Sequence, residues 1–296
     1  DSLGSRGLGD VYKRQTRVHS IYVLNKKKVL IGRLSLKDLI TSPSKSKIKE
    51  IYIPKVDFVN VNDSADEVAK LMSKYDLEAI PVVNDKTELL GRITIDDIVD
   101  YIKDEAEEDY LLAAGISNDV EADDSILELT KARLPWLILG LFGGLGSVFI
   151  LENFEGIMAT KELRALFFYT PLIAAMAGNV GVQSSAIVVQ GLANDQIKGS
   201  LISRLIKEIS LTLLNGIILS LIIIVFGLLI NQSIDMSITI SVSMILVIIV
   251  AALIGTSVPI ILEKFGIDPA IATGPFITTG NDVIGILLFF YIAKII

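Results

Sequence analysis

Residues 268–296, DPAIATGPFITTGNDVIGILLFFYIAKII, decide how the second half of the chain is read. From 269 to 293 the stretch reads as one membrane-crossing helix whose only charge is Asp282. The hydrocarbon core of a bilayer is about 30 Å thick and takes roughly 20 mostly apolar residues to cross. Asp282 falls near the middle of such a span. A carboxylate at that depth costs at least ~2.5 kcal/mol on insertion scales, so it is expected to face water, a cation or a buried partner. Thr278, Thr279 and Asn281 add further oxygens nearby, while Gly274, Pro275 and Gly280 loosen the helix and free backbone carbonyls. Two readings follow: a polar knot that pins helices together, or a group on an ion path. An ionisable residue inside a span favours the second.

The rest of the composition fits a chain of two regions. Of 296 residues 51% are hydrophobic and the mean hydropathy is +0.59, too apolar for an ordinary soluble protein. Before about Lys131 the chain is charged and mixed; after it, long uncharged runs dominate. There is no cysteine, hence no disulfide framework or thiolate metal site. A single histidine, His19, excludes a multi-histidine metal site within one chain and leaves little room for Ser-His-Asp chemistry. No catalytic constellation is found, so an enzyme is not expected. The net charge of −7 argues against nucleic acid as a partner and suits a surface that meets cations.

The first 15 residues contain GLGDVYKRQ, which resembles translated sequencing-adapter sequence. It has no apolar core of a signal peptide. The expectation is a non-native tail that packs against nothing, with the natural start further upstream. An internal repeat follows. Residues 21–40, IYVLNKKKVLIGRLSLKDLI, match residues 80–99, IPVVNDKTELLGRITIDDIV. Each has a strand, a polar turn with Asn, a second strand with Gly-Arg, then Ser or Thr three residues before an Asp. Ser35 and Asp38 correspond to Thr94 and Asp97. The hydroxyl is expected to cap a helix whose first turn holds the Asp. Between the copies, residues 59–75 give a short strand and an amphipathic helix, with Val68, Leu71, Met72 and Tyr75 at helical spacing. The pattern resembles the CBS domain, a β-α-β-β-α module that works in tandem pairs. The second copy looks complete from about 48 to 102, and the first keeps only its final hairpin and helix. The resemblance implies ATP or another adenosine nucleotide at Thr94 and Asp97; plain helix capping explains the same residues.

Between Asp96 and Glu128 there are thirteen acidic residues against one basic, Lys103. Its centre, residues 103–112, is expected to be helical. Like charges one turn apart weaken such a helix, and a hard divalent cation would relieve them. A solvated acidic linker is the plainer account, weakened by the run's place beside the membrane. Five spans follow: a first led by Lys131 and Arg133 over 135–150, then 165–193, 209–230, 238–262 and 269–293. Six Lys or Arg fall on the side of the soluble region and three on the other, Lys161 and Lys198 among them. That bias places the N-terminus in the cytoplasm and the C-terminus outside the cell membrane. In the second span, PLIAAMAGNVGVQSSAIVVQGLA (171–193), Ala and Gly allow close helix approach. Asn179, Gln183, Ser184 and Ser185 bring polar groups to membrane depth, as interhelical glue or as the lining of a water path.

PLIAAMAGNVGVQSS together with DPAIATGPFITTGNDVIGILLFF, behind a CBS module and an acidic connector, resembles the MgtE family of magnesium channels and transporters. LPWL at the first span and FFYTPL before the second agree with it, and the likeness runs from about Thr16 to the end. It implies a multidomain protein: an α/β CBS module, one copy partial (16–47) and one complete (48–104), an acidic connecting helix (105–131), and an all-α domain of five transmembrane helices (132–296). It implies a homodimer in membrane lipid with a pore on its two-fold axis, carrying Mg2+ as both substrate and regulator. The family's selectivity carboxylate maps onto Asp282, with Thr278 and Gly274 beside it and Asn179, Gln183 and Asn281 as pore-lining polar groups. Some members have Asn where this chain has Gly274. The family's Mg2+ sensor positions fall on Asp66, Asp76, Asp97, Asp100, Glu105, Glu108 and Asp109, with Asp268 at the cytosolic mouth of the pore. Its connecting helix, here about 105–129, plugs the pore. Two other readings stay open: a proton-coupled carrier of Co2+ or another divalent, since an intramembrane Asp can relay protons, and a membrane-anchored nucleotide sensor.

Overall fold

The computed structural model describes residues 20–117, 120–156, 164–194 and 200–296. The expected tail at 1–15, Asp119 of the acidic run, and Lys161 and Lys198 of the charge count lie outside them. The chain divides into two compact units, residues 1–105 and 106–296.

The first unit is built on the repeat. Strand β1 (Ser20–Leu24) pairs antiparallel with β2 (Leu30–Ser35), and β2 with β3 (Ile53–Pro54). In the second sheet β4 (Val59–Asn60) runs parallel to β5 (Ala79–Val83), which pairs antiparallel with β6 (Leu89–Thr94). The two hairpins agree in detail. Ile21 faces Leu34 as Ile80 faces Ile93, and each ladder slips at the same place, Val23/Leu24 and Val82/Val83. Both turns are fixed by an asparagine: Asn25 Oδ1 accepts from the N–H groups of Lys27 and Val29, and Asn84 Oδ1 from those of Lys86 and Glu88. The turns also bond to each other, Leu30 N–H to Thr87 O at 3.0 Å and Leu89 N–H to Lys28 O at 3.2 Å.

Short helices α1 (Leu36–Thr41) and α2 (Ile48–Ile51) follow the first hairpin, and α3 (Ala65–Lys74) precedes the second. Helix α3 starts at Ser64, whose hydroxyl accepts from Glu67 N–H at 3.3 Å. Its face of Val68, Ala69 and Met72 closes a core with Val59, Ile80 and Ile98. Leu71 packs at the edge of that core, whereas Tyr75, expected on the same face, is 52% exposed. The helix ends at Lys74, so Tyr75 has left the helical phase that would have carried it inward.

Helix α4 (Ile95–Ala113) carries the centre of the acidic run. The connector expected as one helix over 105–129 is interrupted. Gly115, at φ +77°, ends α4: Gly115 N–H bonds Leu112 O at 3.0 Å and Ile116 N–H bonds Leu111 O at 2.9 Å. That is a Schellman stop, and only glycine adopts such a φ without strain. The next helix, α5 (Ile126–Asn153), begins afresh at a capping box. Ser125 Oγ accepts from Glu128 N–H while the Glu128 carboxylate accepts from Ser125 N–H.

The second unit holds five helical segments long and apolar enough to cross a membrane. They are α5; α6 (Thr170–Ala193), led by a 3-10 turn at Ala165–Tyr169; α7 (Leu201–Leu229); α8 (Ile234–Lys264); and α9 (Pro275–Ile295), led by a 3-10 turn at Pro269–Ala272. The last segment is therefore not one continuous helix. Proline lacks an N–H and forces the residue before it out of the α region, so Gly274 leaves helical geometry (φ −98°, ψ −134°) and α9 starts anew at Pro275. Helix α8 is central, lying against α6, α7 and α9, while α5 packs on α9. Their core gathers Ile173, Ala177, Met244, Val247, Ile248 and Ile286. It is closed at one end by Phe290, stacked on Phe154 and touching Phe167 and Phe289.

Candidate functional site

Two turns into α9, Asp282 lies against α6. One carboxylate oxygen, Oδ1, is buried without a hydrogen-bond partner among the described residues, and the residue as a whole is half-buried. Gly178 of α6 is what it rests on: a Cβ placed there would stand 2.9 Å from Asp282 Oδ1 and 3.0 Å from Thr278 Cγ2. Thr278 and Asp282, one helical turn apart, thus share a face of α9. The Thr278 hydroxyl donates to Gly274 O at 3.3 Å, which leaves its lone pairs free. The same carbonyl accepts from Thr278 N–H at 3.3 Å, so Gly274 O already serves two donors of its own helix.

The neighbours of Asp282 divide by helical phase. Asn281 is 1% exposed, wedged against Gly181 of α6, and neither of its amide atoms has a partner among the described residues. Thr279 packs against Gly143 of α5. On α6, Asn179 and Gln183 lie on the exposed side of this chain, whereas Ser184 and Ser185 are buried and bonded. Ser185 Oγ donates to Ala272 O at 2.9 Å, tying α6 to the 3-10 turn before α9. Ser184 Oγ donates to Glu208 Oε1 at 2.6 Å, tying α6 to α7. The serines therefore join helices, and the two amides are left uncovered.

Glu208 escaped the sequence reading because its charge set the expected start of the third span at Ile209. The signal was present. Ser200 is a capping residue, its hydroxyl accepting from Ser203 N–H at 3.3 Å, and a helix started there carries Glu208 in its third turn.

Gly274 has its own structural reason. It is buried where α4 ends, and a Cβ there would strike the carbonyl oxygen of Ala113. Pro275 lies beside Gly115, so the end of α4 and the start of α9 fit together through two glycines. An Asn in place of Gly274 does not fit this packing. Asp268, expected at the pore mouth, caps the 3-10 turn through Ala270 N–H at 2.8 Å.

The acidic sensor positions do not converge. Among the described residues no three Asp, Glu or His side chains stand together as a metal-binding group. Asp66 accepts from the Tyr101 hydroxyl at 3.2 Å. Burial, then Glu105 and Asp66 beside it, push the Tyr101 phenol up to about 12. Asp97 accepts from Thr94 N–H at 3.1 Å and from its hydroxyl at 2.6 Å, as Asp38 accepts from the Ser35 hydroxyl at 2.6 Å. In the first copy Ser35 caps Asp38 N–H as expected; in the second it is the Asp97 carboxylate that reaches back. Asp76 sits at φ +49° just past α3, and Asp100, Glu105 and Glu108 are exposed along α4. Asp109 is half-buried on the same helix.

Residues 170–292 match the MgtE family model, described as a divalent cation transporter, and residues 48–104 match the CBS domain. The magnesium transporter MgtE of Bacillus subtilis (strain 168) is 38% identical over 277 residues, covering 93% of this chain and 61% of that protein. The magnesium transporter MgtE of Thermus thermophilus is 32% identical over 282 residues, 94% of this chain and 62% of that one. A crystal structure of the cytosolic domain of the Mg2+ channel MgtE in complex with ATP is 38% identical where it aligns, over 32% of this chain and 39% of its own, with a TM-score of 0.29. The chain spans about three-fifths of the length of the curated relatives it matches. With a CBS domain ahead of five apolar helices and the MgtE domain across four of them, the chain is similar to the MgtE magnesium transporters over most of its length.

Proposed function

We propose that the membrane unit conducts Mg2+ into the cell as a homodimer, with the Asp282 carboxylates of two copies facing one pore. The observation that carries this reading is the state of Asp282. Its carboxylate lies within the helix assembly, with one oxygen buried, and has neither a basic partner nor a hydrogen bond among the described residues. A structural knot would have used its lone pairs on neighbouring helices, as Glu208 does with Ser184. The uncovered amides of Asn179 and Gln183 supply a polar face for a second copy or for hydrated ion. The relatives' names supply the ion.

Mg2+ releases its waters reluctantly and prefers octahedral oxygen coordination. One carboxylate per copy, with the Thr278 oxygen beside it, suits an ion that keeps most of its waters: charge attracts it and width selects it. A membrane potential supplies about 2.3 kcal/mol per charge per 100 mV, twice that for a divalent ion, so inward flow needs no coupled proton. The N-terminus lies in the cytoplasm and the C-terminus outside.

Regulation belongs to the same proposal. Asp66, Asp76, Asp97, Asp100, Glu105, Glu108, Asp109 and Asp268 sense cytosolic Mg2+, which relieves repulsion between acidic faces of paired copies and closes the pore. The fit of the α4 end onto Gly274 and Pro275 supports the end of that helix as the moving stop. Adenosine nucleotide, as ATP, is assigned to Thr94 and Asp97 on the CBS resemblance.

The test is ion flux into liposomes reconstituted with wild type and Asp282→Ala. The expected result is Mg2+ uptake by wild type, driven by potential without a proton gradient, and none by a variant that still elutes as a folded dimer. Undiminished uptake by Asp282→Ala would sink the pore assignment. Uptake that requires a proton gradient would replace the channel with a proton-coupled carrier.

A further inference from the structure

Glycines in packed membrane helices usually let two backbones approach. Several here do so. A Cβ on Gly255 of α8 would run into the backbone carbonyl of Gly181, and one on Gly274 into that of Ala113. Gly178 is different. The three atoms nearest its virtual Cβ are all side-chain atoms: Asp282 Oδ1 at 2.9 Å, Thr278 Cγ2 at 3.0 Å and Asp282 Cγ at 3.9 Å. No backbone atom of a neighbouring helix is near enough to require a glycine there. What its missing methyl leaves room for is one face of α9, the face that holds Thr278 and Asp282.

Three further facts make this position sensitive. Asp282 Oδ1 has no hydrogen bond among the described residues, so packing against Gly178, and not a directional bond, sets how far the carboxylate reaches. Asn281, the preceding residue, is wedged fully buried against Gly181, so α9 cannot turn away to relieve a push. Helix α6 is itself held, by the Ser185 bond to Ala272 O on the Gly178 face and by the Ser184 bond to Glu208 on another.

We propose that Gly178 is a positioning residue for the permeating ion: by lacking a Cβ it lets the Asp282 carboxylate and the Thr278 side chain sit back against α6, and so sets the width of the ion path and its preference among divalent ions by size. The proposal rests on the reading of Asp282 as the pore carboxylate. A methyl at 178 must stand at least 3.4 Å from Oδ1 to make an ordinary contact, against the 2.9 Å available. The carboxylate is therefore displaced by about 0.5 Å away from α6. Misplacement of a binding group by 1 Å is worth up to about a hundredfold in a tuned site, and half of that distance roughly tenfold.

The test compares Mg2+ and Mn2+ flux into liposomes for wild type, Gly178→Ala, Gly178→Ala with Thr278→Ser, Gly146→Ala and Asp282→Ala. Gly146→Ala is the packing control, since its Cβ would meet only Val283 of the same helix α9, at 3.9 Å. The double variant removes the Thr278 methyl, so the carboxylate is left as the close neighbour of the new group. The expected result is a Mg2+ to Mn2+ flux ratio changed roughly tenfold in both Gly178 variants and unchanged in Gly146→Ala. An unchanged ratio in folded Gly178 variants, with Asp282→Ala silent, overturns the role of Gly178 and leaves the pore reading standing. Wild-type flux in Asp282→Ala overturns the pore reading and this inference with it. Failure of both Gly178 variants to fold would make Gly178 a packing residue and overturn the proposal as well.

Discussion

The bond between Ser184 and Glu208 should prove to be a fastening worth more than its two partners taken singly. Helices α6 and α7 both pack mainly on α8, so a hydrogen bond from one to the other ties the outer helices directly. Interhelical hydrogen bonds in membranes average about 0.6 kcal/mol, with the strongest near 1.7 kcal/mol. This one belongs at the upper end. Its length, 2.6 Å, is that of a hydroxyl bound to a carboxylate, and Ser184 is only 4% exposed. Two effects limit the loss in Glu208→Ala. The serine hydroxyl can turn back to a carbonyl of its own helix, and Glu208 is itself only half-buried. The coupling between the two residues should therefore be about 1–1.7 kcal/mol, a five- to twentyfold change in the unfolding equilibrium. A double-mutant cycle of Glu208→Ala, Ser184→Ala and the pair measures it, by denaturant unfolding in detergent micelles. Single losses that add to within about 0.3 kcal/mol would refute the reasoning.

Two more outcomes are expected. Gly115→Ala places a side chain at φ +77° and a Cβ 2.5 Å from Pro275 Cγ, so it should destabilise the membrane unit by about 1–3 kcal/mol; an unchanged melting temperature would mean that α4 does not end against α9. Tyr101 should keep its proton through pH 10 and ionise near 12 in an absorbance titration. Because that folded value lies above the unfolded one, the stability it contributes is present below pH 10 and lost as pH climbs through 12. Ionisation near 10 in the folded chain would remove the assigned contact with Glu105 and Asp66.

The sequence carried the repeat well because hairpin chemistry is local. An Asn at each turn, Gly-Arg in each second strand and Ser or Thr before Asp were enough to align the two copies, and the structure repeats even the slip in the ladders. The spans were legible as uncharged runs, but their starts were not. Charge pushed the expected beginning of α7 to 209, whereas the helix starts at its Ser200 cap and takes Arg204 and Glu208 in with it. Counting apolar residues also joined what Pro275 separates, although the residue before a proline is a readable stop. Likewise Gly115 and Ser125 were stop and start signals inside a connector read as unbroken on family likeness.

What no count of residues could supply is phase. Asn179, Asn281 and Asp282 are all polar groups at membrane depth, and sequence does not say which of them a neighbouring helix covers. The structure buries Asn281 against Gly181, leaves Asn179 uncovered and holds Asp282 between those extremes. The difference comes from which residue of the facing helix stands opposite. Glycines at 178 and 181, three apart on one face of α6, receive Asp282 and Asn281 in turn. A glycine opposite a backbone carbonyl, such as Gly255, fixes how close two helices come. A glycine opposite the end of a carboxylate, such as Gly178, fixes where a charge stands. Both look the same in a string of small residues, and only the second can tune an ion path without changing how tightly the helices pack.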